Sequence, residues 1–158
     1  MRLIRGMTEN FNEPCDLIVS NLRAPLNPRV RKTPMLLVGR ASREAAARVW
    51  SGAAKEDMRE LLVWGSKKEM RVWVVNAPAF PLPADLQNTA TPEDMSEDVP
   101  VALAEALLVE YPGAKDVVAD PSMGTGTVGA AARNLGLYFV GYEAYVERFT
   151  AAQARLAA

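Results

Sequence analysis

Histidine is absent from this chain, and cysteine occurs once, as Cys15. The first absence excludes Ser-His-Asp catalysis and histidine-ligated zinc, since no imidazole can act as base or ligand. The second excludes an intrachain disulfide framework and fits a reducing cytoplasm. With nothing to activate it, Cys15 reads as a buried thiol rather than a nucleophile. Lys and Arg number 18 against 19 Asp and Glu, a net charge of −1, so the chain carries no general basic field for nucleic acid. No apolar run approaches bilayer thickness, and neither a signal peptide nor an internal repeat is evident. Neither a membrane nor a metal is expected as a partner.

What is present suits one domain with a real core. The 158 residues are 49% hydrophobic and include 3 tryptophans, which argues against disorder. The organising stretch runs from Asp116 to Glu143, DVVADPSMGTGTVGAAARNLGLYFVGYE. A short apolar run ends in Asp120, and a glycine turn follows at Gly124-Thr125-Gly126. Thr127 to Arg133 is alanine-rich and has high helix propensity. Asn134-Leu135-Gly136 supplies the helix stop, with glycine free to take the left-handed conformation. A second apolar run, Leu137 to Tyr142, then ends on Glu143. This order predicts a βαβ unit with a nucleotide crevice at its strand ends. Glycines let a backbone approach a ligand closely and expose amide groups at a helix start. Glu143 could accept hydrogen bonds from the two ribose hydroxyls of an adenosine. Asp120 could bond a ligand's ammonium group or order the loop.

The segment from Ala119 to Leu156 resembles the S-adenosylmethionine site of DNA amino-methyltransferases, which act on adenine N6 and cytosine N4. That family typically reads DPF-x-G-S-G-T-T, an alanine-rich helix, L-G-R-x-F-I-G-I-E, and a further helix ending near R-L. Asp120, Pro121, Gly124, Gly126, Thr127, Leu135, Gly136, Phe139, Gly141 and Glu143 match. Ser122 replaces the usual phenylalanine. The resemblance implies S-adenosylmethionine as cofactor, bound by Asp120, Pro121, Ser122, Gly124, Thr125, Gly126, Thr127 and Glu143.

The first part of the chain resembles the permuted members of that family, in which the catalytic half precedes the cofactor half. Arg2 to Arg5 reads as a short strand, and Cys15 to Ser20 as a buried one. Leu3-Ile4-Arg5-Gly6 and Asp16-Leu17-Ile18-Val19-Ser20 follow the family's frame. Asn21-Leu22-Arg23-Ala24 then stands where Asp-Pro-Pro-Tyr is expected, and Met7 stands where an acid usually contacts the cofactor's adenine. Methylating an exocyclic amine needs its hydrogens held by acceptors and an aromatic face for the flipped base. Asn21 could accept one such hydrogen bond and is the catalytic candidate. Asparagine is also a common turn residue, so Asn21 fits either role.

Residues 23–40 carry Arg23, Arg29, Arg31, Lys32 and Arg40 among prolines, a loop that could touch DNA phosphates. Met35 to Val38 reads as a core strand, and Arg43 to Trp50 as a helix capped by Ser42. Leu61 to Trp64 and Met70 to Val75 read as an antiparallel pair. A proline-rich loop follows, and then a helix through Leu108 with Leu103, Leu107 and Leu108 inward. A last helix covers Ala144 to Ala158, with Val146, Phe149, Ala152 and Leu156 on one side and Arg148 and Arg155 in solvent.

The expected fold is therefore α/β, a mostly parallel Rossmann-like sheet with helices on both faces. It is permuted and lacks a target-recognition domain, because about sixteen residues of loop fall short of the ~50 a domain needs. Residues 1–76 would form a degenerate catalytic half, 77–98 a linker and 99–158 the cofactor half. Two functions stand side by side. One is a reduced, S-adenosylmethionine-binding DNA methyltransferase. The other is an inactive relative serving as a protein- or DNA-interaction module, as a homodimer or bound to a partner methyltransferase, another protein or DNA.

Overall fold

A computed structural model describes residues 1–21, 26–30, 33–39, 58–64, 70–75, 101–110 and 117–157. The described strands are β1 (Arg2–Arg5), β2 (Leu17–Ser20), β3 (Met35–Gly39), β4 (Met58–Trp64), β5 (Met70–Val75), β6 (Val117–Asp120) and β7 (Tyr138–Glu143). The described helices are α1 (Val101–Glu110), α2 (Thr127–Asn134) and α3 (Val146–Ala157), with 3-10 turns at Thr8–Asn10 and Pro28–Val30. The helix expected at 43–50, the loop at 77–98 and Leu22-Arg23-Ala24 lie outside the described residues.

All seven strands form one sheet in the order β1-β7-β6-β2-β3-β5-β4. The pairs from β1 through β3 are parallel, while β5 runs antiparallel to both β3 and β4. Central parallel strands are covered on both faces and so read as continuous apolar runs. Leu17-Ile18-Val19 is such a run, and every residue of β2 is buried. Alternation sends Leu17 and Val19 to one core, and Ile18 to the other.

The larger core packs α1, α2 and α3 against one face of the sheet, through Leu103, Leu107, Leu108, Ala131, Ala152 and Leu156. The opposite face is covered by residues at and beside the 3-10 turns, Phe11, Leu26 and Val30, which meet Ile18, Met35 and Trp73. A fully buried leucine or phenylalanine contributes roughly 1.5–3 kcal/mol by leaving water. Gly136 takes φ +71 and closes α2 where the sequence placed its stop. In α3, Phe149, Ala152 and Leu156 face the core as expected, but Val146 does not. It sits exposed in the first turn of α3, where it lines a cavity.

The topology places the functional end. From β6 the chain crosses through α2 to β7 on one side, while β2 leads to β3 on the other. The carboxyl ends of β6 and β2 therefore flank the point where the winding direction reverses, which is where open α/β sheets bind ligands. Asp120 ends β6, Ser20 ends β2 with Asn21 next after it, and Glu143 ends β7.

Candidate functional site

The turn after β6 is built from its own carboxylate. Asp120 is only 3% exposed. Its Oδ1 accepts hydrogen bonds from Ser20 Oγ and, at 2.9 Å, from the Ser122 main-chain N–H. Such bonds offset the cost of burying a charge-bearing group. Of the two roles open to Asp120, ordering the loop is the one these bonds perform. The Pro121 carbonyl accepts a hydrogen bond from Thr8 Oγ1 at 3.0 Å, so a segment over a hundred residues earlier also holds the turn.

Gly126 caps α2 with φ +87 and no side-chain cap. A Cβ there would stand 3.1 Å from Leu156 Cδ1 and 3.2 Å from Ala152 Cβ. The close approach that its missing side chain permits is thus to α3. Thr127 is buried next to that contact and accepts a hydrogen bond from Arg155 Nη1 at 3.2 Å. Arg133 Nη1 in turn donates to the Arg155 carbonyl at 2.9 Å. Arg155 is therefore part of the α2–α3 interface, rather than the solvated residue expected from its charge.

Beside this turn a cavity of about 750 Å³ opens over the end of β7, within the size range of ligand pockets. Met7, Thr8 and Glu9 form one wall, Ser122 another, and the run from Glu143 to Arg148 the third. Glu143 is 5% exposed, so its carboxylate forms part of a sheltered floor. The mouth is open: Tyr145 is 68% and Met7 51% exposed, beside the exposed charged residues Glu9, Glu147 and Arg148. The Arg148 guanidinium lies over the Tyr145 ring, 5.4 Å from its centroid, a cation–π contact. A sheltered carboxylate below the exposed Tyr145 and Met7 side chains suits a ligand with hydroxyl groups at one end and a flat ring at the other.

The first wall is clasped to β7 by a series of contacts. Gly6 N–H donates to the Glu143 carbonyl at 3.2 Å, and Arg5 Nη2 to the Ala144 carbonyl at 2.9 Å. Glu13 pairs with Arg2 at 3.0 Å and accepts a hydrogen bond from the Tyr142 hydroxyl at 3.0 Å. Phe11 packs edge-on against the Tyr142 ring, with centroids 4.8 Å apart. Burial, reinforced by Glu13, pushes the Tyr142 phenol up. The shift favours the protonated phenol, the form that donates to Glu13.

Of the cofactor candidates read from the sequence, Ser122 and Glu143 line the cavity. Asp120 and Pro121 brace its turn, while Gly124, Thr125, Gly126 and Thr127 carry the chain from that turn into α2. Asn21 follows β2, two strands from β7, and is not among the residues lining this cavity. Sequence reasoning did not propose Thr8, Glu9 or the run Tyr145 to Arg148 as lining. The latter had one available signal, its position directly after Glu143. The N-terminal wall had none beyond Met7, because only folding brings it there. Among the described residues no cluster of His, Cys, Asp and Glu is arranged to hold a metal, and no helix is long and apolar enough to cross a membrane.

Strand order and site together define a Rossmann-like α/β protein whose cavity lies at the carboxyl ends of its parallel strands. Residues 39–154 match the family model for N6/N4 DNA methylases, and the chain belongs to that family. Its fold is similar to that of M1.HpyAVI, at 20% identity and TM-score 0.64, with 99% of each chain covered. It is similar also to TTHA0409 of Thermus thermophilus, assigned as a DNA modification methylase. In the form complexed with S-adenosyl-L-methionine, that protein is 18% identical with TM-score 0.63, covering 99% of this chain and 94% of the other.

Proposed function

We propose that this chain binds S-adenosylmethionine in the cavity at the end of β7 and acts as a reduced DNA amino-methyltransferase. The observation that carries this reading is the sheltered Glu143 carboxylate in a cavity of about 750 Å³ beside the Asp120 turn. The donor set fits: Glu143 would receive the ribose hydroxyls, the Tyr145 and Met7 surfaces would flank the purine, and Ser122 would offer a hydroxyl. When bound, the cofactor supplies a methyl group on a sulfonium, transferred by in-line displacement to an amine. The chain's own contribution is positioning, with Asn21 as the acceptor-holding residue beside the switch point. Arg29, exposed at the 3-10 turn 28–30, and its neighbours in 23–40 would meet DNA phosphates. A reducing cytoplasm suits the unpaired Cys15.

A second reading rests on Asn21-Leu22-Arg23-Ala24, which lacks the double proline and aromatic residue of the family. On that reading the chain binds the nucleoside but serves a partner methyltransferase, or a second copy of itself, without transferring the methyl group.

Calorimetry with S-adenosylmethionine tests the shared part of both. Glu143→Gln is expected to weaken binding by about 10–100-fold, the ~1.5–3 kcal/mol of hydrogen bonds to a charged group, while leaving the melting temperature near wild type. No heat from the wild-type protein at millimolar ligand would overturn the assignment. Labelled-methyl transfer to DNA then separates the two: incorporation that Asn21→Ala removes supports the enzyme, and none supports the module.

A further inference from the structure

We propose that Thr8 is a positioning residue for this cavity, acting by locking the peptide plane between Pro121 and Ser122. The inference rests on the cofactor reading above. The carbonyl of Pro121 and the N–H of Ser122 belong to one peptide group. Thr8 Oγ1 donates to that carbonyl at 3.0 Å, and Asp120 Oδ1 accepts from that N–H at 2.9 Å. One flat, rigid unit is thus held at both ends by side chains from opposite directions. Ser122 projects from this unit into the cavity, and Thr8 itself lines the facing wall.

Residues flanking the N-terminal wall reach the end of β7: Gly6 to the Glu143 carbonyl, Arg5 to the Ala144 carbonyl, Glu13 and Phe11 to Tyr142. Thr8 reaches instead to the turn after β6. It therefore ties the first wall to the second, while the clasp ties the first to the third. Fixing all three walls before a ligand arrives lowers the ordering cost of binding. Thr8 is half-buried at the end of one hydrogen bond, and the cores lie elsewhere. Its hydroxyl should therefore matter more to the ligand than to the fold.

Two substitutions in the full chain test this. Thr8→Val keeps the shape and removes the donor, and Thr8→Ser keeps the donor. Calorimetry with S-adenosylmethionine should show about tenfold weaker binding for Thr8→Val, one hydrogen bond's worth, and wild-type binding for Thr8→Ser. In the free protein, the Ser122 amide resonance should shift in Thr8→Val and return in Thr8→Ser. A folded Thr8→Val protein that binds as wild type would overturn the proposal and leave the cofactor site standing. So would a Thr8→Ser protein as impaired as Thr8→Val. Failure of the wild-type protein to bind would overturn both, and the Ser122 resonance would then report only the hydrogen bond.

Discussion

Cys15 shows how little a residue's type says before its surroundings are known. It lies partly buried next to Asp16, and burial, with the Asp16 carboxylate adding to it, lifts the thiol from 9.0 to about 11. Folding therefore favours the protonated form. The resulting stability is fully present below pH 9 and is lost as pH rises through about 11. An ultraviolet titration of the thiolate should give a midpoint near 11 for the folded protein and near 9 in denaturant, with slow alkylation at neutral pH. A folded midpoint at the denatured value would show that the thiol is not sheltered. The absence of histidine, legible at once in the sequence, already argued against a nucleophile at this position.

At the scale of elements, the turn from β6 into α2 carries two demands that were merged in the sequence pattern. One is to line the cavity, and Ser122 does that. The other is to bring α3 against α2, and Gly126 does that through φ +87 and by leaving Ala152 and Leu156 the space that a Cβ would crowd. Gly126→Ala should accordingly lower unfolding free energy by ~1–3 kcal/mol, the cost of a left-handed side chain plus local crowding. In denaturant titration this would appear as a lower midpoint at unchanged slope. A midpoint equal to wild type would show that the turn relaxes freely. Gly126→Val would be harsher still and would report on folding rather than on ligand. Glu143→Gln is for that reason the cleaner probe of the cavity.

For the molecule as a whole, a ligand in the cavity is expected to stabilise the fold, because the cavity walls come from distant parts of the chain. Residues 7–9 and 143–148 meet only when β1 lies beside β7. A ligand that binds only the folded state adds ~2.7 kcal/mol at a hundred times its dissociation constant. For a chain of this size that is a rise in melting temperature on the order of 5–10 °C. Differential scanning with S-adenosylmethionine checks it, and an unmoved transition at saturating ligand would refute the coupling.

Local chemistry determined a good deal of this protein. The apolar run of β2, the helix stop at Gly136 and the sequence of strand, turn, helix, strand and acid from Val117 to Glu143 depend on nearest neighbours. They were legible for that reason. Strand order, the clasp of Arg2, Glu13, Phe11 and Tyr142, and the bond from Thr8 to Pro121 join residues far apart in the chain. No local pattern encodes such contacts, since they exist only where the sheet's parallel registry sets distant segments side by side. The sequence alone named the acid at the end of β7; only the tertiary structure decided which surfaces stand around it.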